Sequence, residues 1–293
     1  MPASLKTAQL VRVVLWMTGA LLSFSIMAVS IRELAARLTI FEILTIRSGI
    51  GIIILLGLLA VRPELRAHLR PRRMPTHFVR NVVHFAAQYS WSLSLTLLPL
   101  ATVFALEFTM PAWTVLLAVW LLHELLTPSR IGAVVLGLIG VLVILRPGLA
   151  AFNPAALLVL LAAFGFAITM ITTKQLTMSE STFAIIFWMN AMQVPLGLAA
   201  STPSAYLTLG WQYLPAVLGV GLAGLSSHYC LSNAFRSGDA TLVVPIDFMR
   251  IPLIALVGWA LYSEKPDVLV FVGAFIIIVG VLWNLRAETV RTH

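Results

Sequence analysis

The sequence predicts an all-α membrane protein, ten transmembrane helices arranged as two inverted five-helix repeats around a central cavity. Three observations lead there: an extreme apolar composition, ten apolar runs punctuated by turn signals, and an internal repeat. Of 293 residues, 60% are hydrophobic and 10% charged, and the mean hydropathy is +0.99. A soluble domain carries about 25% charged residues, so soluble, disordered and nucleic-acid-binding classes are excluded. The single cysteine, Cys230, excludes a disulfide framework and any zinc site built on several thiolates.

A spanning helix needs about 20 mostly apolar residues. Ten stretches qualify: 11–31, 40–61, 78–98, 101–122, 129–146, 154–172, 182–200, 212–234, 240–261 and 267–285. Break signals separate most of them, among them Arg62-Pro63, Pro99, Pro128, Pro147-Gly148, Asn153-Pro154, Pro203, Gly238-Asp239 and Pro266. Lys6 and Arg12 precede the first stretch as they would in a signal peptide. Its apolar core exceeds the usual run of about 7–15 residues, however, and more spans follow, so it reads as a retained first span.

Loop charge sets orientation. With the N-terminus inside, thirteen basic residues fall on the inner side and four (Arg32, Arg37, Arg146, Lys265) on the outer, with Arg47 and Arg250 inside spans. Both ends are therefore expected in the cytoplasm and the chain in the inner (plasma) membrane. The net charge of +8 belongs to this topology and not to a polyanion partner. The basic run 62–80 also suits anionic headgroups.

A shift of 140 residues aligns the two halves. Glu107 falls on Asp247, Phe108 on Phe248, Glu124 on Glu264, and Gly140-Val141-Leu142 on Gly280-Val281-Leu282. Apolar matches are cheap in such a chain; two acids 17 residues apart in both halves are not. The shift equates spans four and five with nine and ten, giving five spans per half, in residues 1–148 and 149–293. Five is odd, so the second half enters the membrane upside down. Inverted repeats around a midplane site characterise secondary transporters, in which one half rocks against the other.

Glu107-Phe108-Thr109-Met110-Pro111, a long apolar run, His123-Glu124, and then Gly132 to Arg146 resemble the fourth and fifth spans of the drug/metabolite transporter superfamily, EamA-type ten-span branch. Arg47, Glu124 and Glu264 sit where that pattern expects them. The resemblance covers essentially the whole chain and implies a carrier of small metabolites. Within the branch it is nearest to amino-acid exporters, aromatic ones included.

Ionisable groups inside a bilayer are costly and each invites a functional hypothesis. Glu107 lies in the first third of span four with Pro111 one turn later; Asp247 holds the equivalent place in span nine, near Pro252. Proline frees carbonyls, which only protein or water can satisfy. Arg250 has no basic counterpart at Met110, and its planar guanidinium suits a carboxylate clamp. The alternative is a structural pair, since Asp247 and Arg250 share a helical face. Arg47 reads as an inter-helix bridge, for instance to Glu107. Asn81, His84 and Gln88 share one face of span three, with Trp91 about a turn further on. His84 is a candidate for substrate contact or proton coupling. Phe108, Trp188 and Phe248, beside the polar groups, are candidates to stack on a flat substrate. Glu124 and Glu264 read as caps or gating bridges near the mouths.

The enzyme alternative lacks support. His123-Glu124 is not followed by the second histidine of HExxH, and there is no GxSxG, Walker loop or metal-ligand spacing. No cofactor is expected. The paired acids would also suit a cation channel, but an inverted repeat fits alternating access better. The expectation is therefore a secondary transporter of a small metabolite, an amino acid first, moved outward, with protons as a possible coupling ion. A nucleoside, a vitamin and a drug-like cation are the other candidates, and oligomeric state is open.

Overall fold

The computed structural model describes residues 3–122, 127–146, 153–237, 243, 246–265 and 267–291, and every regular element among them is helical. The order is α1 (Ala3–Leu34), α2 (Ile40–Val61), a 3-10 segment (Pro63–Leu69), α3 (Met74–Leu97), α4 (Leu100–Glu107), α5 (Met110–Leu122) and α6 (Pro128–Leu145). It continues with α7 (Ala156–Thr177), α8 (Thr182–Leu198), the short α9 (Pro203–Leu207), α10 (Leu214–Ser237), α11 (Arg250–Tyr262) and α12 (Val268–Arg291).

Among the described residues, seven segments are long and apolar enough to cross a membrane: Val11–Leu34, Ile40–Val61, Leu100–Leu117, Pro128–Leu145, Ala156–Thr177, Trp211–Ser237 and Val268–Ala287. The apolar helices α8 and α11 are shorter, at 17 and 13 residues. Helix α3 has the length, at 24 residues, but it buries His77, Arg80, Asn81, His84 and Gln88. Its polar face turns inward, which lowers its hydropathy without moving it to the surface. Helix α1 begins at Ala3, a full two turns before the predicted limit, because apolar runs mark the bilayer and not the helix end.

Capping explains several boundaries. Thr39 and Glu42 form a capping box at the start of α2. Thr127 and Ser181 accept backbone N–H bonds at the starts of α6 and α8. Spans four and nine share a different device. The helix breaks at Phe108-Thr109, just before α5, and again at Phe248-Met249, just before α11. These turns occupy equivalent positions of the 140-residue repeat. Pro111 and Pro252 follow them and lack the donor that would carry the helix back across the break.

The most extensive packing joins α1 with α10, α6 with α12, α3 with α7 and α2 with α8. Lipid supplies little hydrophobic drive between helices, so close approach rests on small residues. A Cβ on Gly140 would stand 2.6 Å from the Gly273 carbonyl oxygen, and one on Gly280 would stand 3.2 Å from that of Ala133. These two contacts exchange under the 140-residue shift. Leu95, Leu100, Val103, Phe104, Ile254 and Ile277 form fully buried parts of the main core.

Polar ties cross between the halves at both ends of the bundle, which the course of α2 and α8 sets apart. At one end Arg32 pairs with Glu264 and donates to the Leu95 and Leu98 carbonyls. Glu264 Oε2 also accepts from the Leu100 backbone N–H at 2.9 Å, capping α4. Arg146 meets Asp267 at 2.5 Å, and Glu42 accepts from the Thr202 N–H. A cavity of about 500 Å³ opens here, lined by Arg32, Pro99, Tyr262 and Glu264 among others. At the other end Glu180, between α7 and α8, accepts the Arg72 and Arg73 backbone N–H groups and contacts His77 Nε2 at 2.5 Å.

Candidate functional site

The breaks before α5 and α11 place three ionisable groups together. Glu107 is the last residue of α4, Arg250 the first of α11, and Asp247 lies one turn before Arg250. Arg250 Nη2 donates to both Asp247 oxygens, at 2.5 and 2.6 Å, and Nη1 donates to Glu107 Oε1 at 3.3 Å. Trp91 Nε1 donates to the other Glu107 oxygen at 2.7 Å. The Arg250 guanidinium lies over the Phe24 ring, 4.0 Å from its centroid, with Phe108 at 5.3 Å. Phe108 meets Phe248 edge to face at 4.8 Å. Two residues related by the repeat, Glu107 and Asp247, thus grip one arginine, and two others, Phe108 and Phe248, touch each other.

Two carboxylates on one guanidinium leave this cluster one negative charge in excess when all three are ionised. The Arg250 side chain is 5% exposed, while those of Glu107 and Asp247 keep 19% and 17%. Its acids, not its arginine, are the accessible part. Arg250 is therefore occupied where the sequence pictured an open clamp, and the bridge imagined between Arg47 and Glu107 is made by Arg250 instead.

A second polar group flanks the first through Phe24, whose ring lies 6.5 Å from that of His228; His228 in turn lies 6.4 Å from His84. The Gln193 amide donates to His84 Nδ1 at 2.8 Å, and Ser48 donates to the Gln193 carbonyl oxygen at 3.3 Å. An amide N–H at that distance is matched by an accepting Nδ1. Arg47 Nη1 donates to Gln88 Oε1 at 3.2 Å. Residues from α1, α2, α3, α8 and α10 meet here.

The remaining candidates stand apart. Trp188 donates to the Leu69 carbonyl at 3.1 Å and packs near His77. It lies within two turns of the start of α8, at the Glu180 end and away from the Arg250 cluster. Glu264 lies at the opposite end, on Arg32 and the start of α4. Pro111 is half-buried and Pro252 exposed. Glu124 lies outside the described residues. Sequence reasoning missed Phe24, one of fifteen phenylalanines, because nothing in a helix sequence marks which ring will lie under a distant arginine. Gln193 was visible as an intramembrane polar residue but not as a partner of His84. Among the described residues no group of His, Cys, Asp and Glu has metal-binding geometry.

A sequence model of the EamA-like transporter family matches this chain twice, over residues 11–146 and 153–286. The chain belongs to the EamA-like transporter family. It is a multi-pass integral membrane protein and a transporter of small metabolites. Similar members carry different names. The chain is 29% identical to an S-adenosylmethionine uptake transporter of Rickettsia felis, over 93% of this chain and 92% of that one. It is 27% identical to a riboflavin transporter of Rhizobium johnstonii, over 94% and 92%. It is 24% identical to a pseudopaline exporter of Pseudomonas aeruginosa, over 91% and 93%. These relatives are named as transporters, and they include uptake as well as export of different metabolites, so the expectation of an amino-acid exporter is narrower than the relatives support. A solved crystal structure shares the fold with a TM-score of 0.60 at 17% identity, over 92% of this chain and 94% of that one.

Proposed function

We propose that this EamA-family protein is a secondary carrier that moves a small cationic or zwitterionic metabolite by alternating access. Two inverted five-helix halves, residues 1–148 and 149–293, rock about the Arg250 cluster in the inner membrane with both ends of the chain in the cytoplasm. The single observation that carries the reading is the convergence of Glu107 and Asp247 on Arg250. Repeat-related acids meet where the halves meet, with one negative charge over and their carboxylates partly open. A ligand cation that approaches Glu107 competes with Arg250, so occupancy loosens the tie between α4 and α11. That is a differential contact between states, which alternating access requires. The doubled family match, the exchange of helix partners between halves and the matching breaks at 108–109 and 248–249 support the inverted repeat.

S-adenosylmethionine is the first substrate to try: it is an amino-acid derivative with a sulfonium, an ammonium and a flat adenine, and a relative is named for its uptake. Purified protein in liposomes loaded with unlabelled S-adenosylmethionine should accumulate the labelled compound by exchange. Glu107→Gln should lower that exchange about tenfold or more, as loss of a buried charged contact worth roughly 1.5–3 kcal/mol does. Riboflavin and aromatic amino acids complete the panel; a wild-type protein that exchanges none of them sinks the reading. An imposed pH step reads out coupling separately: flux that ignores the step removes protons from the mechanism.

A further inference from the structure

Arg250 has two acids, whereas Arg47 has none. Arg47 lies inside α2 and is 3% exposed. Among the described residues its one hydrogen bond runs from Nη1 to the neutral Gln88 carbonyl, and its Nε is buried without a partner. No acceptor engages Nη2 among those residues. The acid nearest along α2, Glu42, is committed elsewhere, to the Thr39 and Thr202 backbone N–H groups. A buried guanidinium without a counter-charge is costly, because desolvation is not repaid by any partner. Its two unengaged groups, Nε and Nη2, form one edge of the fork that grips a carboxylate in two parallel bonds.

At Gly224 helix α10 presents no side chain to that edge, though its backbone closes Nε off from solvent. Gly224 of α10 faces it, and a Cβ there would stand 2.8 Å from Arg47 Nε. The polar chain that starts at Arg47 holds amides, a hydroxyl and imidazoles. Gln88 bonds Arg47 directly, Ser48 follows Arg47 along α2 and bonds Gln193, and Gln193 bonds His84, whose ring lies 6.4 Å from that of His228. Arg80, the other buried arginine without a carboxylate partner among the described residues, differs in being used. Its Nε donates to Thr173 and its Nη1 to Asn81, both at 2.7 Å.

We propose that Arg47 is the receptor for a carboxylate on the transported metabolite, with Gln88 holding its Nη1 and Gly224 presenting no side chain to Nε, an edge that α10 uncovers as the halves move. The ligand then lies between opposite charges, its cation toward Glu107 and Asp247 and its anion on Arg47. This deepens the carrier reading and rests on it, and it narrows the substrate class to metabolites that carry both a cation and a carboxylate.

Acetate is the probe, because it reports the carboxylate contact without any knowledge of the full ligand. Purified full-length protein is melted in detergent in rising sodium acetate, with sodium chloride keeping ionic strength constant. A ligand that binds only the folded state raises the melting temperature through a stabilisation of RT ln(1 + L/Kd) at acetate concentration L, so the midpoint is the concentration at which this reaches RT ln 2, equal to Kd. Wild type and Arg80→Gln should both show the rise. Arg47→Gln should abolish it or shift its midpoint at least about tenfold. Arg47→Lys, which keeps the charge but loses the fork, should weaken it less. Should Arg47→Gln not fold, Gly224→Ala gives the same reading, since its methyl would stand 2.8 Å from Nε and displaces the Arg47 side chain while keeping its charge. An absent rise in wild type, an unchanged midpoint in Arg47→Gln and Gly224→Ala, or an equal loss in Arg80→Gln overturns the proposal. Metabolite exchange that fails while the Arg47-dependent acetate response survives removes the carrier reading and leaves this site standing.

Discussion

At the scale of single residues, the molecule handles its charges in three ways: it pairs them doubly at Arg250, leaves one unanswered at Arg47, and cages one with backbone donors at Glu180. The last gives a clean pH signature. The Glu180 side chain is only 2% exposed. Burial alone would raise its carboxyl, but hydrogen bonds from His77 and from the Arg73 and Arg72 backbone N–H groups outweigh that and hold it below the ordinary range. A carboxyl with a depressed folded pKa stabilises the fold above its unfolded value, about 4.3, and that contribution is lost as pH falls through the folded value. Glu180→Gln should therefore lower the melting temperature at neutral pH, with the gap to wild type closing as the pH is brought below about 4. A gap that stays constant from neutral to acid pH contradicts the assignment.

Among elements, the α6–α12 contact is the most exposed to a small change. Gly140 and Gly273 bring two backbones together, and a Cβ at Gly140 would stand 2.5 Å from Ile277 Cγ1 as well as 2.6 Å from the Gly273 oxygen. The backbone cannot yield as a side-chain tip can. Gly140→Ala should thus cost about 1–3 kcal/mol, the usual range for overpacking, whereas Gly57→Ala, with open space around it, should be neutral or slightly stabilising on propensity grounds. Denaturant titration of the purified protein measures both. The elements were also what the sequence disclosed best. Apolar runs and prolines marked the long described helices, though not the short α9 or the breaks that divide spans four and nine, and the spacing of Asn81, His84 and Gln88 identified the inward face of α3. Periodicity reports which side of a helix is polar, but not which helix answers it. That is why Arg47 was matched with Glu107 when Gln88 holds it, why Phe24 went unseen, and why Trp188, polar-flanked in sequence, lies near one end.

For the whole molecule, inversion of the halves is the claim that labelling can decide. Residues 62–73 follow α2 and residues 199–213 follow α8, helices that occupy the same place in each half. Under inversion these connections lie on opposite sides of the membrane. With Cys230 replaced by Ser, cysteines at the exposed positions Glu64 and Ser204 should separate in intact cells: an impermeant maleimide should label Ser204→Cys and spare Glu64→Cys until the membrane is opened. Labelling of both from outside would mean that the halves stand in the same sense.

Helices α4 and α11 come from different halves, yet each is fastened to the other at both extremities: Glu264 to the first amide of α4, Arg250 to its last residue, Glu107. Two deformations of this frame follow from breaking one tie at a time. Displacing Arg250 from Glu107 frees the inner corner and leaves the outer one as a pivot; breaking Glu264 from Leu100 and Arg32 does the reverse. Under the proposed carrier reading, a solute that reaches Glu107 would select which corner turns, and one eight-residue rod would couple the centre of the bundle to its rim.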